Sequence, residues 1–593
     1  MKKLLSGLSL FLSFACAAQT FPVNNLIVEG TASFSGASTF TLSPTGPTPT
    51  SGDSSTKLAT TAFVSSSFSP LVSPVFTGVP IAPTASVGTN TGQLATTAFV
   101  AQHAPCYSIL DNGGNSGGSA DNTAALAATA ALSAGGQACV YFPPGIYNFS
   151  SASLYTLPSS VASLTIMGAG AEVTKLVWPS GGGLEIRYVS STNAVHISGL
   201  SFLTGTAGTG TGLYLHQTNA SIPNPANTSL TDLTNLVFRG SDGYSVTNYW
   251  ATAISELGVS NTGVYGVSIS GAATAAGIGI NLLGTASLPS VQWNISNSNF
   301  NQLSNGLVYG TQVQGVTVNQ SNFVSSTGSG IVVPTGETNL DQLTVVGSQF
   351  NTGGSAGISV NTGVANVQIT SNLFIVPGAT SGIDLEGEGI TSITGNTFQS
   401  SGSSGANNGI VINTTANSWP TTIVSNSLQG LRGSAILLKS PSSFVYVGLN
   451  GYQGNGTNIS NSGANNVIVG QVLSNSTLNT SLSSGVTNNA TSIVLPAGQW
   501  DVECSAQFNP AGGTTVTGLE VGVSSTSAAF GSTGSLQQLQ LIFATGATQN
   551  IISPVVRIGL ASASTLYCPA NAAFGASTMT VNGFVRAVAL NPQ

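Results

Sequence analysis

Five phenylalanines, Phe300, Phe323, Phe350, Phe374 and Phe398, follow one another at intervals of 23, 27, 24 and 24 residues, each preceded by a similar apolar pattern. Five positions upstream stands Ile295, Val318, Val345, Ile369 or Ile393; seven upstream stands Trp293, Val316, Leu343, Val367 or Thr391. This is an alternation of period two ending in a polar corner such as Asn372 or Asn396, the pattern of a half-buried strand. A second strand follows at constant phase: Gly306-Leu307, Gly330-Ile331, Gly357-Ile358, Gly382-Ile383 and Gly409-Ile410. Two phase-locked strands in a repeat of about 25 residues mean one coil per repeat, stacked at about 4.8 Å so that each apolar row buries against its own copies. Paired helices would need a 3.6-residue period, which is absent. The expected fold is all-β, a single-stranded parallel β-helix over residues 105–475.

The totals agree with a solenoid. Charged residues make up only 5% of the 593, yet 41% are apolar and recur in register, which separates the chain from a disordered polar one. Ten Lys plus Arg cannot neutralise a row of phosphates, so nucleic acid is excluded as a partner. Met1-Lys2-Lys3, the apolar run from Leu4 to Phe14 and Ala15-Cys16-Ala17 read as a signal peptide over residues 1–18, with no membrane-spanning run after it. Ser13 argues against lipid attachment at Cys16. Cys106 with Cys139, and Cys504 with Cys568, fall in separate segments; two intradomain disulfides are expected in an oxidising compartment, with four buried free thiols as the alternative.

Residues 19–104 hold an internal repeat. Pro47-Thr48 leads to Leu58-Ala59-Thr60-Thr61-Ala62-Phe63-Val64, and 36 positions later Pro83-Thr84 leads to Leu94-Ala95-Thr96-Thr97-Ala98-Phe99-Val100. Two such units cannot bury a core alone, so lateral association between chains is expected. The wording resembles the repeats of phage tail fibres. That resemblance implies a homotrimeric shaft, with tail or baseplate proteins as partners and a virion tail as location; the signal peptide implies a secreted, extracellular one.

Asp111-Asn112-Gly113-Gly114 is followed by Asp121-Asn122-Thr123-Ala124-Ala125-Leu126, with Asp121 or Asn122 capping a helix that runs to Leu132. Gly135-Gly136 stop it, Cys139-Val140-Tyr141-Phe142 form a strand, and Pro143-Pro144-Gly145 turn the chain before Ile146-Tyr147. This segment resembles the opening of the pectate-lyase-like superfamily, with Asn122 in place of the second Asp of its motif. The resemblance implies a right-handed parallel β-helix closed by an N-terminal cap, and no particular activity. From 476 to 593 the pattern changes to longer alternating strands, among them Ser492–Cys504 and Met579–Arg586. An antiparallel β-sandwich is expected there. It resembles the C-terminal domains of phage fibres, which implies trimerisation or receptor binding.

Two clusters are candidates for function. In Gly382-Ile383-Asp384-Leu385-Glu386-Gly387-Glu388, inward Ile383 and Leu385 place Asp384, Glu386 and Glu388 outward together. Their spacing of about 6.5–7 Å suits the paired carboxylates of glycoside hydrolysis. The same residues also suit a solvated acidic patch or a calcium site. Arg239, Asp242, Tyr244, Tyr249, Trp250 and Glu256 lie in an excursion between early coils and suit a sugar platform, or simply pack a loop onto the coil. His103, His196 and His216 lack metal-ligand spacing, so neither metal nor cofactor is expected. The Gly114–Gly118 match to a nucleophile elbow lacks the strand and helix that motif needs. Two readings follow: a phage fibre or spike that recognises a bacterial surface polysaccharide, or a secreted or virion-borne depolymerase acting by hydrolysis or β-elimination.

Overall fold

The structure is a computed structural model. It describes residues 29–591 except 32, 34–36, 38, 40, 43–44, 68–77, 87–88, 90, 98, 101–105, 133–135, 151, 158–160, 220–228, 403–404, 414–419, 465 and 576. The signal peptide expected at 1–18 lies outside the described residues. Two compact units divide at Gln102 and His103. In the first, the repeat is visible as repeated geometry. Thr60 Oγ1 accepts the Phe63 amide (3.2 Å) and bonds Thr48 Oγ1 (3.1 Å); Thr96 Oγ1 accepts the Phe99 amide (3.1 Å) and bonds Thr84 Oγ1 (2.9 Å).

The second unit is a parallel β-helix followed by a sandwich. Its strands form three parallel sheets of 14, 13 and 12 strands, each strand pairing with its equivalents one coil away. One coil runs Ser290–Ser296 in the first sheet, Asn299–Asn301 in the second and Asn305–Tyr309 in the third. A coil thus has three strands where the sequence pattern suggested two. The alternating run breaks between its Ile and its Phe because one residue at the corner takes a left-handed conformation, as at Asn297 (φ 49°), Gln320 (47°) and Ser371 (57°).

The Phe row occupies the second sheet. Phe300, Phe323, Phe350, Phe374 and Phe398 stack with ring centroids 4.6, 4.9, 4.9 and 4.7 Å apart and planes within 10° of parallel. Strand register continues the row through Ile269 and Phe238 on one side and Leu428 and Tyr452 on the other. The glycines of the third sheet exist for these rings. A Cβ on Gly330, Gly357 or Gly382 would stand 2.7, 2.8 or 2.6 Å from a ring carbon of Phe350, Phe374 or Phe398.

Polar corners form a second ladder. The amide of Val267 donates to Ser298 Oγ, Ser298 to Ser321, Ser321 to Ser348, and Ser348 to Asn372 Oδ1. Asn372, Asn396 and Asn426 then donate to the side chains of Asn396, Asn426 and Asn450. Each buried corner amide therefore finds its acceptor one coil further along, and the Asn Nδ2 atoms return the favour to strand carbonyls such as Val345 and Ile369 (3.0 and 2.8 Å).

At the N-terminal end the helix Thr123–Ala131 buries Ala125, Leu126, Thr129 and Ala130. Asp121 receives the Thr123 amide (3.1 Å), and the Ser150 hydroxyl, with other donors, holds its carboxyl down at about 2. Asn122 makes no cap bond; fully buried, it ties Asn115, Ala120 and Asn148 together. Cys106 and Cys139 are disulfide-bonded, with Cα atoms 4.6 Å apart. At the other end the sandwich packs a five-stranded antiparallel sheet on a four-stranded one. Trp500, Val502, Cys504, Ala506 and Phe508 alternate into its core. Cys504 and Cys568, expected to pair, are buried free thiols in hydrogen-bond contact across the two sheets. Burial, before any neighbour, holds the Cys504 thiol protonated, far above its ordinary range.

Asn396→Ala removes the acceptor for the Asn372 amide and the donor to Ile369 O in a dry corner. It should cost about 2–3 kcal/mol in urea unfolding. Asn396→Ser, which restores the acceptor found at Ser298, Ser321 and Ser348, should recover part of that loss.

Candidate functional site

Turns that leave the third sheet line two adjoining clefts. After Ile331–Val333, Ala356–Val360, Ser381–Leu385, Asn408–Ile412 and Ser434–Leu438, the chain turns at Asn339, Asn361-Thr362-Gly363, Glu386-Gly387, Asn413 and Pro441. A cleft of about 400 Å³ is lined by Asn361, Thr362, Gly363, Glu386, Gly387, Asn413 and Pro441. A second, of about 280 Å³, shares Gly363 and Gly387 and extends to Asn339 and Glu388. Five successive turns at the coil rise span about 19 Å. Beside Leu340, Val364 and Ala365 the lining includes glycines that the backbone requires: Gly387 has φ 77°, and a Cβ on Gly389 would collide with the Ala365 carbonyl.

The rim is polar and fixed by bonds between coils. Asn413 Nδ2 donates to Glu386 Oε1 (2.8 Å), and the Glu386 amide to Val360 O (2.6 Å). Thr362 Oγ1 donates to the Glu337 carbonyl (3.3 Å), and the Thr311 hydroxyl bonds the Glu337 carboxylate. Such a wall presents amide, hydroxyl and carboxylate groups to a ligand in the groove. Among the described residues no aromatic side chain lines either cleft.

The three acids expected to project together are placed differently. Asp384 lies on the strand, half-buried, between Ser359 and Val411 of the adjacent coils. Burial raises its pKa, with Lys439 opposing and Glu386 adding to the rise, and its Oδ1 is enclosed without a hydrogen-bond partner among the described residues. Glu386 stands in the cleft wall. Glu388, expected outward, is only 1% exposed. The strand stops at Leu385, so the alternation that sends every second side chain outward does not reach position 388.

The cluster around Arg239 is a clamp and not an open platform. Arg239, 7% exposed, donates from Nε and Nη2 to the two oxygens of Glu172 (2.8 and 2.7 Å), and its guanidinium sits 5.0 Å from the Tyr244 ring centroid. Tyr244 Oη donates to Glu172 Oε1 (2.8 Å), and these contacts, Arg239 first, hold the Glu172 carboxyl down at about 2. Asp242 Oδ2 accepts the Thr247 and Asn248 amides (3.0 and 3.1 Å), which closes the loop on itself. Tyr249 is half-buried against Gly208. Trp250, expected on the surface, is buried: its Nε1 donates to Phe202 O (3.1 Å) and its ring meets Trp178 edge-on. Glu256, also expected on the surface, is fully buried and accepts the Val259 and Leu283 amides (both 3.0 Å). It falls on an inward position of the strand Thr252–Leu257, where outward Ser255 and Leu257 flank it. Burial pushes its carboxyl up to about 8 against the pull of these donors.

Sequence reasoning singled out Glu386 but missed its neighbours Asn361, Thr362 and Asn413. A signal for them existed: Asn361, Glu386 and Asn413 each directly follow the last residue of a third-sheet strand. Among the described residues there is no cluster of three or more metal-ligating side chains, and no helix is long and apolar enough to cross a membrane.

Phage tailspikes are among the solved structures this chain is similar to. The tailspike gp61 of Pseudomonas phage phi297 matches at 12% identity and a TM-score of 0.36, covering 82% of this chain and 98% of that one. Tailspike protein 2 of Escherichia coli O157:H7 bacteriophage CAB120 matches at 13% and 0.35, covering 80% and 70%. PfbA, a surface adhesin of Streptococcus pneumoniae, matches at 15% and 0.42, covering 60% and 93%. No family model and no curated protein matches the chain. Such likenesses assign no role to any residue of the clefts.

Glu256 gives the coil a pH dependence of definite sign. A carboxyl raised from 4.5 to about 8 binds its proton more tightly folded than unfolded. Its contribution is therefore full below about pH 4.5 and is lost as pH rises to about 8. Between pH 5 and 8.5 the melting temperature should fall, and Glu256→Gln should flatten that slope. An equal slope in both proteins would refute the assignment.

Proposed function

We propose that the chain is a phage tail-fibre or tailspike-type protein whose β-helix binds a bacterial surface polysaccharide along the turn cleft. The observation that carries this reading is the pair of adjoining clefts, drawn from five successive turns that span about 19 Å at the coil rise and walled by Asn361, Thr362, Glu386 and Asn413. An extended sugar chain offers hydroxyls at regular intervals, and a surface built from one turn per coil offers partners at regular intervals. The N-terminal repeats support attachment and homotrimer assembly on a virion, with tail or baseplate proteins as partners. The sandwich is a second candidate for receptor contact or trimerisation.

A second reading, cleavage of the bound glycan by hydrolysis, rests on one observation. Burial raises the pKa of Asp384, as a general acid requires, and Glu386 lies two residues along as a candidate base.

Purified full-length protein should bind lipopolysaccharide or capsule from a susceptible bacterium within a panel. Glu386→Ala or Thr362→Trp should weaken that binding about tenfold, about 1.4 kcal/mol, without shifting the melting temperature. Arg557→Ala on the sandwich should leave it unchanged. Unaltered affinity in both cleft variants would move the site elsewhere. Release of reducing ends that Asp384→Asn abolishes would establish hydrolysis; binding without any release removes the enzyme reading.

A further inference from the structure

Most of the cleft lies in a part of the chain that has no cations; its far end, at Pro441, stands two residues from Lys439. Arg239 and Arg432 are consecutive basic residues: between them stand no Lys, no Arg and no His, but Asp242, Glu256, Glu337, Asp341, Asp384, Glu386 and Glu388. Four of these belong to the turn column: Glu386 and Glu388 line the clefts, Asp384 lies on the strand that leads into them, and Glu337 bonds Thr362 and Thr311 beside them. Glu337 and Glu386 are two coils apart, about 10 Å, comparable with the Debye length of about 8 Å at physiological salt, so their fields overlap in the groove. Lys439, which directly follows the strand Ser434–Leu438 one coil beyond Asn413, is the one cation that acts on Asp384, against four carboxylates along the column. An anionic sugar chain seated here would meet an excess of carboxylates, with one ammonium, Lys439 at the far end, to pair with its own charge. Hydroxyls and protonated amines, by contrast, donate to carboxylates directly.

We infer that the cleft selects a glycan free of acidic groups, neutral or amine-bearing, and rejects uronic, sialic and phosphorylated chains. This rests on the glycan-binding reading of the cleft and narrows it. It also removes β-elimination as the chemistry of the alternative reading, because that reaction needs a uronate.

The test is binding of full-length protein to immobilised polysaccharides of known charge: dextran and mannan, partially N-acetylated chitosan, and alginate, polygalacturonate and colominic acid, each with and without EDTA. Binding is expected to a neutral polymer, to chitosan, or to both, and at least tenfold weaker to every acidic polymer. Reducing the carboxyls of an acidic polymer to alcohols should not lower its binding. Glu386→Gln should weaken chitosan binding about fivefold and remove most of its salt dependence, while Arg557→Ala should not; equal chitosan loss in the two variants would mark non-specific attraction and count against the assignment. Strongest binding to an acidic polymer, whether or not calcium is needed, overturns the class while leaving the glycan reading standing. Failure of all six polymers to bind counts against both.

Discussion

A parallel coil advances by one hydrogen-bonded strand spacing per turn, about 4.8 Å, and that distance lies within the range of about 4.5–7 Å between the centroids of offset-stacked aromatic rings. Every inward position must therefore tolerate a copy of itself immediately above and below. In the second sheet the chain meets this demand with a flat ring, and the rings set the rest of the cross-section: with Phe323, Phe350, Phe374 and Phe398 in a row, the opposite sheet has room only for Gly306, Gly330, Gly357 and Gly382. The corner ladder obeys the same spacing. A Ser or Asn side chain can serve the amide of the previous coil only if its own amide is served by the next, so the ladder is stable as a run and costly to interrupt.

This periodic constraint is why the coil was legible in the sequence. The Phe, Ile and Gly rows recur because each position sees the same neighbours in every turn. Legibility failed where the residue type changes while the position does not: Ile269, Leu428 and Tyr452 continue the Phe row without resembling it. It failed again at the third strand. The corner that separates it is left-handed at Asn297, Gln320 and Ser371, and only the first of these is a residue with a marked preference for that conformation. The sandwich was visible from its alternation, but whether Cys504 and Cys568 bond or merely touch is not a property of spacing.

The candidate sites show the same division. Acidic residues at alternate positions were read as one outward row, which holds only while the strand lasts; Leu385 ends it, so Glu386 enters a turn and Glu388 goes under the surface. In the Arg239 cluster the deciding residue, Glu172, is 67 positions away in sequence and one of its two carboxylate oxygens serves both Arg239 and Tyr244. No local pattern announces such a partner, and without it a clamp looks like a platform.

The groove follows from the coil's regularity and its imperfection together. Strands must keep register, but the turns between the third and first sheets are under no such obligation, so they are free to vary in length and residue type. Where they shorten onto glycine, as at Gly363, Gly387 and Gly389, the surface sinks; where they end in Asn361, Glu386 or Asn413, polar groups line the sunken strip at one set per coil. A rigid scaffold thereby fixes groups that a flexible loop would have to order on binding, so little conformational entropy is lost when a repeating ligand is seated. The same regularity makes charge decisive. Between Arg239 and Arg432 the chain has no Lys or Arg, so Lys439, at the far end of the groove, is the one counter-charge acting on Asp384, and the ligand must supply any further positive charge itself.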